Sequence, residues 1–154
     1  MKDKTTAINT AGLLARLLLG GLFIYAGAVK VLAPAEEFAY AIETYKVTGP
    51  ALALRAAYII PWLELYAGLL LAAGIFTRFS AFLCGAMLVF FELLLAQAWL
   101  RGLPVTSCGC FGSGGSNSLP FEFLLNLFFL ALAYPAFRHG LFFSADKGMG
   151  RERS

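Results

Sequence analysis

Four long stretches of apolar residues dominate the chain and predict four membrane-spanning helices. They cover about residues 7–33, 56–76, 79–100 and 119–143. A stretch of about 20 apolar residues is long enough for an α-helix to cross the hydrocarbon core of a bilayer, which is ~30 Å thick. The sequence therefore predicts an all-α fold, an integral membrane four-helix bundle that forms a single domain over residues 1–154.

Polar positions concentrate in the connections between these stretches. Residues 34–55 mix charged and aromatic side chains, and we expect them to form an interfacial segment between the first two helices. Only Thr77 and Arg78 separate the second and third stretches, which predicts antiparallel neighbours. Residues 101–118 form a loop rich in glycine and serine that contains two of the three cysteines.

The N-terminal stretch has two interpretations. Lys2 and Lys4 precede it and small residues follow at 26–28, which is also the pattern of a secretory signal peptide. However, the apolar run from residue 11 to residue 29 is longer than the ~7–15 residues of a signal peptide core. We therefore interpret it as a retained first helix.

Composition agrees with a protein of the lipid bilayer. Hydrophobic residues make up 60% of the chain and charged residues 14%, against about 25% charged residues in an ordinary soluble domain. The net charge of +3 follows from a bias of basic residues toward one side of the membrane, and it does not indicate nucleic-acid binding. No sequence feature specifies an oligomeric state.

The positions of lysine and arginine predict the orientation in the membrane. The end of the bundle that carries both termini has seven: Lys2, Lys4, Arg78, Arg138, Lys147, Arg151 and Arg153. The opposite end has four: Lys30, Lys46, Arg55 and Arg101. The positive-inside rule then predicts a multi-pass protein of the bacterial inner (plasma) membrane with cytoplasmic termini. The cysteine loop would face the periplasm, where a disulfide can persist.

Cys108 and Cys110 flank Gly109 in that loop and are the main candidate site. A glycine between two cysteines lets the backbone turn so that the sulfurs can meet. A disulfide in so small a ring adds little stability, and strained, exposed disulfides are labile and exchange readily. The motif therefore predicts a catalytic pair, for which Arg101 is the nearest cation in sequence and is expected to favour the thiolate.

A structural crosslink and a soft-metal site are the alternatives for this motif. Two thiolates at this spacing can bind Cu(I) or Zn(II), but a zinc site normally has four ligands. The single histidine, His139, is at the opposite end of the bundle, and Cys84 is expected to be a buried packing residue. We therefore predict no metal site.

Five ionisable residues fall within the predicted helices. At ~1.5 Å per residue, Lys30, Glu64, Glu92 and Glu122 gather in the half of the bundle beneath the cysteine loop. Lys30 and Glu64 form either a structural ion pair or part of a proton-carrying charge network with Glu92. Glu122 is expected to complement the dipole of its helix. Arg16 has no acidic partner within the spans and is expected to extend to the headgroups.

A quinone cofactor is a further hypothesis. Trp62, Trp99 and Phe111 lie near Glu64 in the predicted topology and offer aromatic surfaces for a quinone ring. The same aromatic residues fit packing or anchoring at the membrane interface equally well.

Short motifs occur along the chain in the order found in a known family. They are Arg16, Gly20, Phe23, AGAVK at 26–30, Pro61, LE at 63–64, Gly68, Gly74, RG at 101–102 and CGCFG at 108–112. With these motifs the chain resembles the MauE branch of the MauE/DoxX membrane proteins. The resemblance implies a four-helix membrane protein linked to redox or disulfide chemistry outside the cytoplasm, often alongside a thioredoxin-like partner.

The sequence thus favours a membrane thiol–disulfide oxidoreductase or electron-transfer protein that exchanges with an extracytoplasmic thioredoxin-like protein through Cys108 and Cys110. Two alternatives belong to other classes. One is a non-enzymatic assembly or maturation factor for a disulfide-containing protein, and the other is a transporter of soft metals or small solutes.

Overall fold

The computed structural model describes residues 2–103, 119–141 and 144–146. Within these ranges the chain forms five helices and no strand, which confirms the all-α class. The helices are α1 (Lys2–Leu32), α2 (Ala35–Thr44), α3 (Pro50–Ala73), α4 (Thr77–Leu100) and α5 (Leu119–His139). Cys108, Cys110 and Phe111 lie outside the described residues.

Four of these helices are long and apolar enough to cross a membrane, as predicted. The spanning segments are Thr6–Leu32, Pro50–Ala73, Thr77–Leu100 and Pro120–His139. Their chain order defines two ends of the bundle. The terminal end contains the α3–α4 turn and the C-terminus of α5. The loop end contains α2 and the connection from α4 to α5.

Helix α1 packs against both α3 and α5. Its contact with α3 depends on glycines, because a Cβ on Gly27 would stand 2.7 Å from the backbone nitrogen of Leu65. A Cβ on Gly68 would likewise stand 2.7 Å from the backbone nitrogen of Ile24. Small residues let membrane helices approach closely, and the resulting van der Waals contact stabilises the pair where lipid supplies no hydrophobic driving force.

The buried core lies where α1, α3, α4 and α5 meet. Its largest members are Leu19, Phe23, Leu71, Cys84 and Leu88. Cys84 is fully buried. It therefore packs as an apolar residue, as expected from the sequence.

The connection between α1 and α3 differs from its predicted form. Residues 34–55 divide into α2 and the first turns of α3, which begins at Pro50 rather than near residue 56. Proline suits the first turn of a helix because its missing N–H would have no partner there, so the helix begins at Pro50 despite the charge of Arg55. Phe38 and Ala39 of α2 pack against this added segment of α3.

The terminal end is closed by a contact from beyond α5. Gly74 ends α3 with a positive φ of 72°, and Phe76 precedes α4 with a φ of 48°. The Asp146 carboxylate accepts hydrogen bonds from the backbone N–H groups of Phe76 and Thr77, each 2.8 Å long. Asp146 therefore caps the N-terminus of α4, whose first N–H groups would otherwise lack acceptors.

Candidate functional site

Lys30 and Glu64 form a buried ion pair between α1 and α3. The Lys30 Nζ donates to both carboxylate oxygens of Glu64 at 2.7 Å, and the two residues are 4% and 1% exposed. Lys30 lies in the last turn of α1, where the helix dipole favours a cation. The sequence placed the two charges in the same half of the bundle, and the structure brings them into direct contact.

Two aromatic rings complete the surroundings of the Lys30 ammonium. The Phe38 ring centroid lies 4.9 Å from Nζ, and the Phe91 centroid lies 5.6 Å from it. Both distances permit cation–π attraction, which gains strength in a desolvated site. Lys30 is thus held by a carboxylate on one side and by two rings on the others.

Glu92 forms a second polar contact with α5. Asn126 Nδ2 donates to Glu92 Oε2 at 2.5 Å and to the backbone oxygen of Leu88 at 3.1 Å. The other oxygen, Oε1, is buried and accepts no hydrogen bond from the described part of the chain. Glu92 therefore points into the bundle rather than into lipid, as its cost in a bilayer requires.

A small and mostly apolar cavity lies beside Glu64 and Asn126. Its volume is about 30 Å³, and its polar lining comprises Glu64, Glu122 and Asn126. Such a volume holds at least one water molecule, because one water occupies roughly 10–15 Å³ on this measure. Glu122, in the first turn of α5, is 5% exposed. Glu64 and Glu122 therefore line the same small cavity, whose other lining residues are mostly apolar.

The cysteine loop joins α4 to α5 at this same end of the bundle. Arg101 caps the C-terminus of α4 and is exposed. The described chain stops at Leu103 and resumes at α5, whose first turn carries Glu122. The loop is therefore attached to the helix whose first turn contributes Glu122 to the cavity. The predicted contact between Arg101 and the cysteines falls outside the described residues.

The two tryptophans lie at the surface of the bundle. Trp62 stacks on Tyr66 with centroids 5.9 Å apart, and Trp99 packs edge-on against Phe123 at 5.8 Å. They are 47% and 54% exposed, and neither lines the cavity beside Glu64. Both fit the alternative of packing and anchoring against lipid.

Arg16 is buried rather than extended to the headgroups, which corrects the expectation from the sequence. It is 3% exposed, and its Nη1 donates to the backbone oxygen of Gly140 at 2.8 Å. Asp146 supplies the acidic partner, since its charge attracts the guanidinium. The prediction failed because it considered acidic residues within the spans, and Asp146 follows the last span.

Asp146 is the titratable group that the sequence did not single out. Burial raises its pKa, but hydrogen bonds from Thr77 and Phe76 and the charge of Arg16 outweigh burial and hold the pKa below its ordinary value.

No group of three or more potential metal ligands occurs in residues 2–103, 119–141 and 144–146.

Comparison with protein families shows a match over most of the chain. The family described as "Methylamine utilisation protein MauE" matches residues 8–138, which is most of the chain. Comparison with curated proteins and with solved structures gives no significant match.

Proposed function

We propose that this chain, which belongs to the MauE family, is a membrane thiol–disulfide oxidoreductase. Family membership indicates a membrane protein linked to redox chemistry or protein maturation. The proposal adds that Cys108 and Cys110 are the exchanging pair and that their partner is an extracytoplasmic thioredoxin-like protein.

The observation that carries the proposal is that two carboxyl residues, Glu64 and Glu122, line one cavity at the loop end. The CGC motif belongs to the connection between α4 and α5, and the cavity lined by Glu64 and Glu122 lies beside the start of α5. Thiol exchange moves protons as well as electrons, so carboxyl groups near the start of the helix that follows the loop suit this chemistry.

Exchange through the third cysteine is disfavoured by its burial. Cys84 is 0% exposed, and burial suppresses the thiolate that attacks a disulfide. The chain has three cysteines, which leaves Cys108 and Cys110 as the reactive pair. In each cycle a dithiol transfers two electrons and two protons to a disulfide, through a mixed disulfide between the two proteins.

The orientation of the protein is part of the proposal. Arg78 and Arg138 are exposed at the terminal end, and the basic residues after Asp146 add to the same side. The positive-inside rule then favours cytoplasmic termini in a bacterial plasma membrane. The cysteine loop faces the periplasm, where thioredoxin-like proteins and disulfide-containing clients meet it.

A maturation factor is the second candidate. The family takes its name from methylamine utilisation, which suits a protein that assists one client rather than a general oxidoreductase. In that case CGC would hold or release the client without catalytic turnover.

Trapping a mixed disulfide tests the proposal. Cys108→Ser and Cys110→Ser variants each leave one thiol without its resolving cysteine, so one of them should accumulate a covalent complex in native membranes. We expect mass spectrometry to identify a thioredoxin-like protein in that complex. Trapping of a single non-redox client would favour the maturation factor. Full physiological activity of the double variant would exclude both roles for CGC.

A further inference from the structure

An apolar trough between α2, α3 and α4 has no role in the thiol chemistry described above. The part of the trough nearest the loop end is a cavity of about 190 Å³ whose lining includes Tyr45, Thr48 and Leu94. A second cavity of about 290 Å³ reaches Leu63 and Met87. The two share lining residues on α3 and α4: Ile60, Phe90 and Phe91. They therefore form one trough, which we call the α3–α4 trough.

The trough exists because α3 and α4 meet through large side chains. The face of α3 that contacts α1 carries glycine, whereas the face toward α4 presents Ile60 to Phe90 and Phe91. Bulky residues prevent the close backbone approach that glycines allow. The trough walls are almost entirely apolar. Most of the lining residues belong to the spanning helices α3 and α4, whereas the end at Tyr45 and Thr48 lies in the connection between α2 and α3. Lipid-soluble molecules can therefore enter from the bilayer.

The end of the trough that contains Tyr45 and Leu94 lies beside the start of the cysteine loop. Tyr45 and Leu94 line the trough, and both pack in one cluster with Leu103, the last described residue before the loop. Cys108 follows five residues later. A chain of that length spans at most about 18 Å, so the cysteine pair is tethered within reach of the trough mouth.

The wall of the trough formed by Phe38 and Phe91 lies next to the Lys30–Glu64 ion pair. Phe38 and Phe91 line the trough, and the same rings lie 4.9 Å and 5.6 Å from the Lys30 ammonium. A ligand in the trough is thus separated from the Lys30–Glu64 pair by one layer of aromatic side chains. Because the Glu64 carboxylate neutralises the Lys30 ammonium, the pair places an acid–base group, and no net charge, behind these rings.

The proposed function requires an electron acceptor that the chain itself lacks. An oxidoreductase that oxidises its partner is left with a dithiol at Cys108 and Cys110, and Cys84 is buried in the core. With three cysteines, the chain has no second pair to receive the electrons. The acceptor must come from outside the chain, and the trough opens toward the membrane.

Building on the proposed function, we propose that the α3–α4 trough binds a prenylated quinone that reoxidises the cysteine pair. The ring occupies the Tyr45–Thr48 end, and the isoprenoid tail lies along Ile60 and Phe90 toward Met87. The two thiols lose two electrons and two protons and form the S–S bond. The quinone gains the same two electrons and two protons and leaves as the quinol.

Quinone reduction by purified protein tests this inference. Full-length protein in phosphatidylcholine nanodiscs is reduced, freed of reductant and mixed with ubiquinone-1. We expect one quinone to be reduced per protein, with loss of two free thiols by alkylation and mass spectrometry. Ala56 lines the trough, so Ala56→Phe places a ring in the ligand's path. We expect it to raise the quinone concentration for half-maximal rate about tenfold or more.

Matched controls separate the trough from the thiol chemistry. Ala131→Phe makes the same change on the exposed face of α5, and it should leave the quinone dependence unchanged. Leu52→Trp, at a 60% exposed trough position, repeats the block if Ala56→Phe fails to accumulate. The inference would be overturned if the trough and control variants showed equal quinone dependence. It would also be overturned if the purified wild-type protein contained only phospholipid and reduced no quinone.

A second oxidant distinguishes a failure of this inference from a failure of the proposed function. The wild-type dithiol is also offered oxidised glutathione, which needs no trough. Oxidation by glutathione without oxidation by quinone would overturn the quinone site and leave thiol exchange intact. Failure to form the Cys108–Cys110 disulfide with either oxidant would overturn the proposed function itself.

Discussion

The Asp146 carboxylate accepts a 2.8 Å hydrogen bond from the backbone N–H of Thr77, at the first residue of α4. A residue that follows the last span therefore completes a helix in the middle of the chain. The Arg16 charge also favours the ionised carboxylate. Three parts of the chain that are far apart in sequence are joined at the terminal end by this residue.

We expect Asp146 to make stability depend on pH in the acid range. Its folded pKa lies below the ordinary value, so its contribution is present above the unfolded pKa of about 3.9 and is lost as pH falls through the folded pKa. Thermal unfolding of detergent-solubilised protein between about pH 6 and pH 3 should show a steeper loss of Tm for wild type than for Asp146→Asn. Glu36→Gln, at an exposed position of α2, is the control for loss of one carboxylate. An equal fall of Tm with pH in wild type and Asp146→Asn would contradict the capping role of Asp146.

The Lys30–Glu64 pair predicts a strong effect of removing one partner. Glu64→Gln leaves the buried ammonium of Lys30 without its counter-charge, and such changes cost about 3–5 kcal/mol. We expect a large loss of thermal stability in Glu64→Gln. The double variant Lys30→Met, Glu64→Leu removes both charges and should recover most of the stability, because a well-packed apolar pair often equals a buried ion pair. Equal stability of single and double variants would argue against a tightly coupled pair.

The same double variant tests whether Glu64 carries protons. Because its stability is expected to recover, a defect in turnover would report on chemistry rather than on folding. We expect Lys30→Met, Glu64→Leu to accumulate normally while its cysteine pair reoxidises at least tenfold more slowly than in wild type, since general acid–base groups contribute about 10²–10⁴ in rate. Thiol-alkylation time courses measure this rate. Normal reoxidation would leave the pair with a structural role and move the proton-carrying role to Glu92.

Glycine at the α1–α3 contact is expected to be irreplaceable. A Cβ on Gly68 would lie 2.7 Å from the Ile24 backbone nitrogen, and the backbone must move to admit it. Overpacking of this kind costs about 1–3 kcal/mol, so Gly68→Ala should lower the thermal stability. Gly21 on α1 has no atom within 4 Å of such a Cβ. Gly21→Ala should therefore match wild type, and a similar loss in both variants would rule out a specific contact.

Thiol labelling tests the orientation and the reactive cysteines together. A membrane-impermeant maleimide added to intact spheroplasts should modify the reduced Cys108 and Cys110, whereas Cys84 is 0% exposed and should react only after denaturation. A Cys108→Ser, Cys110→Ser variant provides the blank. Labelling of the pair only in inverted vesicles would reverse the orientation and remove the periplasmic argument.

The spans and the depth of their charges could be predicted because both follow from distance along a helix. Hydropathy located four helices, and the rise per residue placed Lys30 and Glu64 in the same half of the bundle. The partners of Arg16 and Glu92 could not be predicted, because they depend on the rotation of each helix and on residues outside the spans. Asn126 was not singled out in the sequence, and nothing in the pattern indicated that it donates to Glu92.

The start of α3 and the trough show a different limit. Arg55 suggested a helix boundary that the chain does not respect, because a long helix can carry a charged side chain near its end where it reaches polar surroundings. The trough results from the bulk of Phe90 and Phe91 relative to the glycines at the α1–α3 contact. Hydropathy treats all these residues as apolar and does not distinguish their sizes.

The position of the ion pair also constrains how the protein enters the membrane during synthesis. Lys30 lies two residues from the end of α1, so its long side chain can keep the ammonium among the headgroups while α1 inserts alone. Glu64 lies deep within α3, and its short side chain cannot reach the headgroups. The insertion of α3 is therefore favoured when α1 is already present to supply the counter-charge. The first hairpin of this protein should integrate as a pair, with α1 acting as the template for α3.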